Sequence, residues 1–308
     1  MADTDTRTPP FGRVLTAMAT PFDASGGVDY EEAARLARYL AAHGSDGLVV
    51  AGTTGESATL TADEKIRLFG TVREAVGKDA KVLAGTGSYN TAETITLSRE
   101  AQHLGVDGLL VVTPYYNRPS QEGLYQHYKA VADAVTLPVM LYNVPTRTSV
   151  NMEAATVLRL AEIANVVALK EASPSMSQVA EVVAGAPATF AVYSGADENN
   201  LPILALGGVG IVSVVSHVAG PDLAQMHTAF FDDNDLATAR RIHLRTLPLT
   251  KAMFSAPSPV PTKTALCMLD VLPNSLVRLP LVEANDRERA VIHAALKDYC
   301  GPVRGESL

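Results

Sequence analysis

A chain of 308 residues, 47% apolar and 19% charged, buries roughly three quarters of its unfolded surface on folding, which makes it globular rather than disordered or fibrous. Its 33 acidic residues outnumber its 25 basic ones, so no global positive field exists to hold a phosphate backbone or an anionic membrane, and nucleic acid and membrane are excluded as partners. Two cysteines, Cys267 and Cys300, form neither a CxxC pair nor a disulfide framework and read as buried apolar thiols of a cytoplasmic protein.

Residues 1–11 open with MADTDTRTPP, which has one Arg and no apolar core; this is a disordered tail, not a signal peptide or lipidation site. Short β-rich runs then alternate with stretches of helical period, the pattern of βα units around a parallel sheet. The runs fall at 14–19, 47–50, 82–84, 108–112, 139–142, 166–169, 190–193 and 211–215. Most lack hydrophobic alternation, as strands covered on both faces do. Between them, Asp29 with Glu32, Thr61 with Glu64 and Asn90 with Glu93 each place a capping residue three positions before a Glu. In the first helix Ala33, Leu36, Ala37 and Leu40 form one stripe, and Gly44 stops it. The stretch 199–221 has no charged residue, but Pro202, Gly207, Gly208 and Gly210 break it into a short helix, a turn and a buried strand rather than a membrane span.

Eight units share the 218 residues from Val14 to Phe231, about 27 each, which is what a strand, a helix and two short loops need. The fold expected is α/β, a (β/α)8 TIM barrel over 12–233, with a small C-terminal α-helical extension over 234–308. An open doubly wound sheet would offer a G-x-G-x-x-G turn after its first strand, where this chain reads AMATPFDASGG.

Barrel active sites gather at the C-terminal ends of the strands. Lys170 closes the run VVALK there, and apolar barrel walls disfavour an ammonium relative to the amine, as a Schiff-base lysine needs; taken alone it also reads as a lysine snorkelling to water. Tyr142 ends the preceding strand 28 residues earlier, one repeat back, so the two stand at similar height on neighbouring strands. AGTTGES presents the hydroxyls of Thr53 and Thr54, suited to a carboxylate or merely to capping a helix. TPYYN carries Tyr115 and Tyr116, and YNVPTRT puts Arg147, with its planar fork, in a loop. A phosphate site near GGVG is opposed by residues 171–239, which contain no Lys or Arg. The seven His show no HxH or HExxH spacing for a metal, and Lys263 in PVPTK reads as a helix start.

Together GTTGES (52–57), TPYYNRPSQEGLYQHY (113–128), YNVPTRT (142–148), LKEAS (169–173), SGAD (194–197) and PVPTKTAL (259–266) make the chain resemble the dihydrodipicolinate synthase family, of the pyruvate-dependent class I aldolases that include N-acetylneuraminate lyase. The resemblance implies condensation of pyruvate with aspartate 4-semialdehyde. It assigns the imine to Lys170 and a proton relay to Tyr142, Thr53 and a neighbouring subunit's Tyr116. Thr54 would hold the pyruvate carboxylate, Gly195 and Val212 would line the pocket through backbone groups, and Arg147 would receive the semialdehyde's carboxylate. It further implies a homotetramer built as a dimer of dimers, with no cofactor and no metal. Alternatives are an aldolase for a longer sugar-derived 2-keto acid and a silent keto-acid-binding barrel. Feedback-sensitive members bind lysine in a cleft whose residues match Ser57, Ala58, Glu93 and Tyr115; Ala62, Lys65 and Tyr89 replace His or Asn there, which predicts weak inhibition by lysine.

Overall fold

The computed structural model describes residues 7–301 and residue 303. Eight parallel strands close into one barrel in sequence order: β1 (Val14–Ala17), β2 (Gly47–Val50), β3 (Lys81–Gly85), β4 (Gly108–Val112), β5 (Val139–Asn143), β6 (Val166–Glu171), β7 (Ala191–Ser194) and β8 (Gly210–Ser213). Around them run α1 (Tyr30–Ala42), α2 (Ala62–Val76), α3 (Thr91–His103), α4 (Gln121–Asp133), α5 (Pro145–Thr148), α6 (Ala154–Ala161), α7 (Met176–Gly185), α8 (Asn200–Ala205) and α9 (Ser216–Phe231). The chain ends with α10 (Leu236–Met253), α11 (Val260–Met268) and α12 (Asp286–Cys300). The expected (β/α)8 barrel is the fold found.

Two apolar layers explain why the strand runs are continuous rather than alternating. Leu15, Val49, Leu83, Leu110, Met140 and Ala168 fill the barrel, while Leu48, Val82, Leu109, Val139 and Leu169 meet the helices outside. In α1 the stripe Ala33, Leu36, Ala37 and Leu40 is buried, and Gly44 at φ +91° ends the turn where a side chain would be strained. Of the three expected capping boxes, Thr61 with Glu64 closes in both directions; Asp29 and Asn90 accept from the first-turn amides, but Glu32 turns to Arg35 and Glu93 to the Asn90 side chain.

Several boundaries differ from the apolar runs, and the reason bears on the site. Strand β6 runs on to Glu171 and β5 to Asn143, because backbone pairing continues through Tyr142↔Lys170 and Asn143↔Glu171 although the side chains have turned polar. Strand β1 stops at Ala17, β7 begins and ends one residue late, and β8 spans Gly210–Ser213. The stretch 199–221 resolves into α8, a turn, β8 and the start of α9, and among the described residues no helix is long and apolar enough to cross a membrane.

Of the expected disordered tail over 1–11, residues 1–6 lie outside the described residues, as do 302 and 304–308 of the C-terminal stretch. Residues 7–11 are held: the Arg7 guanidinium donates to Val183 O at 2.8 Å and Ala186 O at 3.1 Å, and Phe11 is buried in the barrel-filling cluster. Residues 7–11 therefore depart from the expected disorder, since Phe11 has an apolar pocket and Arg7 has carbonyl partners. The cysteines also depart from expectation. Cys267 is half-buried and Cys300 exposed, because α12 buries Ile292 and Leu296 and its last residue lies beyond the packed face.

Candidate active site

Parallel register fixes the centre of the site. Tyr142 and Lys170 are direct partners across β5 and β6, both buried, and Lys170 Nζ stands 4.1 Å from the centroid of the Tyr142 ring. The ring face covers the ammonium and interacts favourably with its charge. Tyr142 is held through its backbone, because its carbonyl accepts from both the amide and the hydroxyl of Thr113 at 2.9 Å. Along β6, strand alternation sends Lys170 into the barrel and Glu171 outward. There the Glu171 carboxylate accepts from Ser173 N at 2.7 Å, Asn143 Nδ2 at 3.0 Å and Gln178 Nε2 at 3.1 Å, and burial raises its pKa against those donors.

A cavity of about 330 Å³ opens at this point. Thr53, Thr54, Tyr142, Arg147, Lys170 and Gly195 all line it, so six of the residues singled out in the sequence converge. An adjoining cavity of about 350 Å³ shares Thr53, Tyr142, Val144, Arg147 and Ser258 with it. Thr53 and Thr54 sit on a tight turn after β2, flanked by Ala51 at φ +51° and Glu56 at φ +56°, left-handed conformations that non-glycine residues adopt at a cost. The turn is closed by Glu56 N to Thr53 O at 3.1 Å and Ser57 N to Gly52 O at 3.2 Å. Arg147 lies on α5, a single turn that Pro145 opens, and is exposed at the cavity mouth. Gly195, just after β7, lies close against Lys170: a Cβ there would lie 3.0 Å from Lys170 Cγ and 2.9 Å from Ala172 Cβ.

Two expected residues are not brought into this cavity by the chain itself. Val212 is buried on β8 with its side chain in the barrel-filling cluster. Tyr116 is 93% exposed, at φ +71° in the loop after β4, while its neighbour Tyr115 lines the adjoining cavity.

The sequence reading missed Asp197, Ser173 and Ser258 as lining residues. Asp197 is buried and accepts from the Ser213 hydroxyl and from Val214 N at 3.0 Å. Burial raises its pKa, opposed by those donors and by the positive charge of Lys170. Its acidity was visible in SGAD, but its donors come from β8 and beyond, sixteen residues later, and no local pattern announces them. Among the described residues, no group of three or more His, Cys, Asp or Glu is placed to hold a metal ion. The arrangement is a sheltered amine beside a phenol, with hydroxyl and guanidinium donors around it. Such a set can capture a carbonyl compound bearing a carboxylate.

The model of the dihydrodipicolinate synthetase family matches residues 10–299. The 4-hydroxy-tetrahydrodipicolinate synthase of Moorella thermoacetica is 58% identical over 288 residues, covering 94% of this chain and 98% of that protein. Its namesake from Heliobacterium modesticaldum is 56% identical over 289 residues, 94% of this chain and 96% of that one. A crystal structure of DHDPS from Cyanidioschyzon merolae with lysine bound superposes with a TM-score of 0.94 at 44% identity, covering 96% of this chain and all of that one. With its barrel closed, its strand-end lysine and tyrosine paired in register, and relatives this similar along nearly its whole length, the chain belongs to the dihydrodipicolinate synthetase family.

Proposed function

We propose that this chain is a lyase of lysine and diaminopimelate biosynthesis that condenses pyruvate with L-aspartate 4-semialdehyde to give 4-hydroxy-tetrahydrodipicolinate. The observation that carries the reading is the buried Lys170 amine against the Tyr142 ring, inside a cavity that Thr53, Thr54 and Arg147 also line. Lys170 Nζ attacks the ketone carbon of pyruvate and water leaves, forming an imine. Loss of a methyl proton gives the enamine, whose carbon attacks the aldehyde of the second substrate. The amino group of that substrate then displaces Lys170 from the imine carbon, closing the ring and freeing the lysine. Tyr142, linked to Thr53, moves the protons. Thr54 holds the pyruvate carboxylate, Gly195 and Val212 shape the pocket through their backbones, and Arg147 takes the semialdehyde's carboxylate. The protonated imine is itself the electron sink, so the reaction draws on no metal or organic cofactor.

Tyr116 completes the relay of a neighbouring subunit in a homotetramer built as a dimer of dimers; its 93% exposure on a strained loop supports that assignment, since it lines neither cavity of its own chain described above. The enzyme works in the cytoplasm, where its thiols stay reduced.

Borohydride reduction in the presence of pyruvate tests the reading. Mass spectrometry of the digested protein is expected to place the reduced adduct on Lys170, and a folded protein that acquires no adduct would overturn it. Feeding the aldehyde of a sugar in place of aspartate semialdehyde separates this function from that of a sugar-acid aldolase.

A further inference from the structure

Behind the turn that carries Thr53 and Thr54 lies a buried ion pair that the reaction as described does not use. Lys263, on α11, donates from Nζ to Glu56 Oε1 at 2.6 Å, and both side chains are 1% exposed. The second carboxylate oxygen of Glu56 accepts Arg278 N at 3.0 Å, and Lys263 also donates to Leu276 O at 2.7 Å and stands 4.0 Å from the Phe22 ring centroid. Arg278 in turn pairs with Glu64 at 2.6 Å and donates to Thr59 O at 2.9 Å. The C-terminal segment thus grips the turn through residues 207 positions apart in sequence.

Stability alone is a poor account of this pair. Taking two charges out of water costs about as much as their attraction returns, so an apolar pair of equal volume would hold the fold as well. What a desolvated pair fixes is geometry, because neither charge can shift without losing the opposite charge that compensates it. Here the residue so fixed is Glu56, held at φ +56°, whose amide closes the turn onto Thr53 O. Left-handed backbone at a non-glycine residue persists only where its surroundings over-determine it.

We propose that Lys263 and Glu56 are positioning residues: through the left-handed backbone of Glu56 they set where the Thr53 and Thr54 hydroxyls stand relative to Lys170 and Tyr142, and so make the C-terminal helices part of the catalytic apparatus. This rests on the pyruvate-imine reading above. Burial lowers the pKa of Lys263 to about 8, and the Glu56 charge opposes that fall. Glu56→Gln therefore removes the charge that favours the ammonium, while its amide can still accept from Arg278 N and face the Lys263 amine, so the charge lock is gone.

The test compares Glu56→Gln, Lys263→Met, the double variant and Glu64→Gln, which cuts the Arg278 ion pair outside the turn. Borohydride trapping against pyruvate concentration, steady-state kcat and KM, and thermal midpoint are read for each. Each single variant at the pair is expected to raise the pyruvate concentration for half-trapping and to lower kcat about tenfold, with the double variant no worse than the worse single one. Glu64→Gln is expected to lower the thermal midpoint while trapping and kcat stay within twofold of wild type. Folded Glu56→Gln or double variant with wild-type trapping and kcat would overturn the proposal, as would losses that multiply in the double variant. Should Glu56→Gln not fold, the double variant, which buries no charge at the pair, decides alone. Failure of wild-type protein to trap pyruvate would instead overturn the reaction assignment.

Discussion

At the scale of single residues, the cavity divides its work by chemistry. Tyr142→Phe keeps the ring that covers Lys170 Nζ and removes only the oxygen that carries a proton, so turnover is expected to fall roughly 10²-fold with circular dichroism unchanged. Wild-type turnover in that variant would remove Tyr142 from the relay. Arg147→Ala is expected to raise KM for the semialdehyde and spare pyruvate trapping, since the proposed reaction gives the two carboxylates separate donors; a collapse of trapping would reassign Arg147 to the pyruvate site. Gly195 acts by what it lacks. A methyl group there would press on Lys170 Cγ and Ala172 Cβ at about 3 Å, so Gly195→Ala is expected to slow imine trapping at least tenfold, read as a rate at saturating pyruvate. An unchanged rate would mean that Lys170 has room to move aside.

At the scale of elements, the polar ends of strands and the first turns of helices carry both site and stability. His217, near the start of α9, accepts Ala19 N at 3.1 Å through Nε2 while Nδ1 meets Val214 O at 2.8 Å, joining β1 to β8 at the rim of the barrel. That geometry requires neutral imidazole, and burial lowers the pKa to about 4. An unfolded histidine titrates near 6.5, so between about pH 6.5 and 4 the unfolded chain binds a proton that the folded one refuses, and stability falls as pH falls through that window. The raised carboxyls of Asp197 and Glu171 act in the opposite direction, so the informative comparison is between variants. His217→Gln keeps an acceptor for Ala19 N but cannot charge. Its loss of stability between pH 7 and 4.5, measured by urea denaturation, is expected to be smaller than that of wild type by on the order of 2 kcal/mol. Equal losses would show that His217 accepts its proton without opening the rim.

At the scale of the whole molecule, the loops after β3 and β4 build, with α2 and α3, a second polar cluster beside the site. Tyr89 meets Tyr115 edge to face, 5.3 Å between centroids, and Glu93 accepts from Ser88 Oγ at 3.3 Å and Asn90 Nδ2 at 3.1 Å. Lys65 is half-buried; burial lowers its pKa, and the charge of Glu93 opposes that. Lys65 lies within electrostatic reach of Glu93, so an incoming lysine would meet a like charge where its ammonium needs an acid. Millimolar lysine is therefore expected to leave the initial rate largely unchanged, and strong inhibition at submillimolar lysine would show that Lys65 yields. The cluster also shows why Lys65→His is the informative substitution: it removes the lysine ammonium and is expected to increase inhibition by lysine.

Much of this molecule is legible in its sequence, for a physical reason. Strands covered on both faces must be apolar throughout, helices must show an apolar stripe and a cap, and a repeat of about 27 residues leaves few other ways to bury them, so the barrel and its strand-end lysine and tyrosine follow from local pattern and spacing. One repeat separates Tyr142 from Lys170, which puts them at similar height, whereas their direct pairing also depends on a register shift between Val139 and Met140. What local pattern does not contain is who faces whom across the closure. Asp197 takes its donors from β8, Glu56 its cation from a helix more than two hundred residues on, and Phe11 its pocket from the barrel interior. Each of these polar or tail residues is costly or purposeless alone and is made stable only by partners that the closed barrel brings together, so tertiary structure decided their roles.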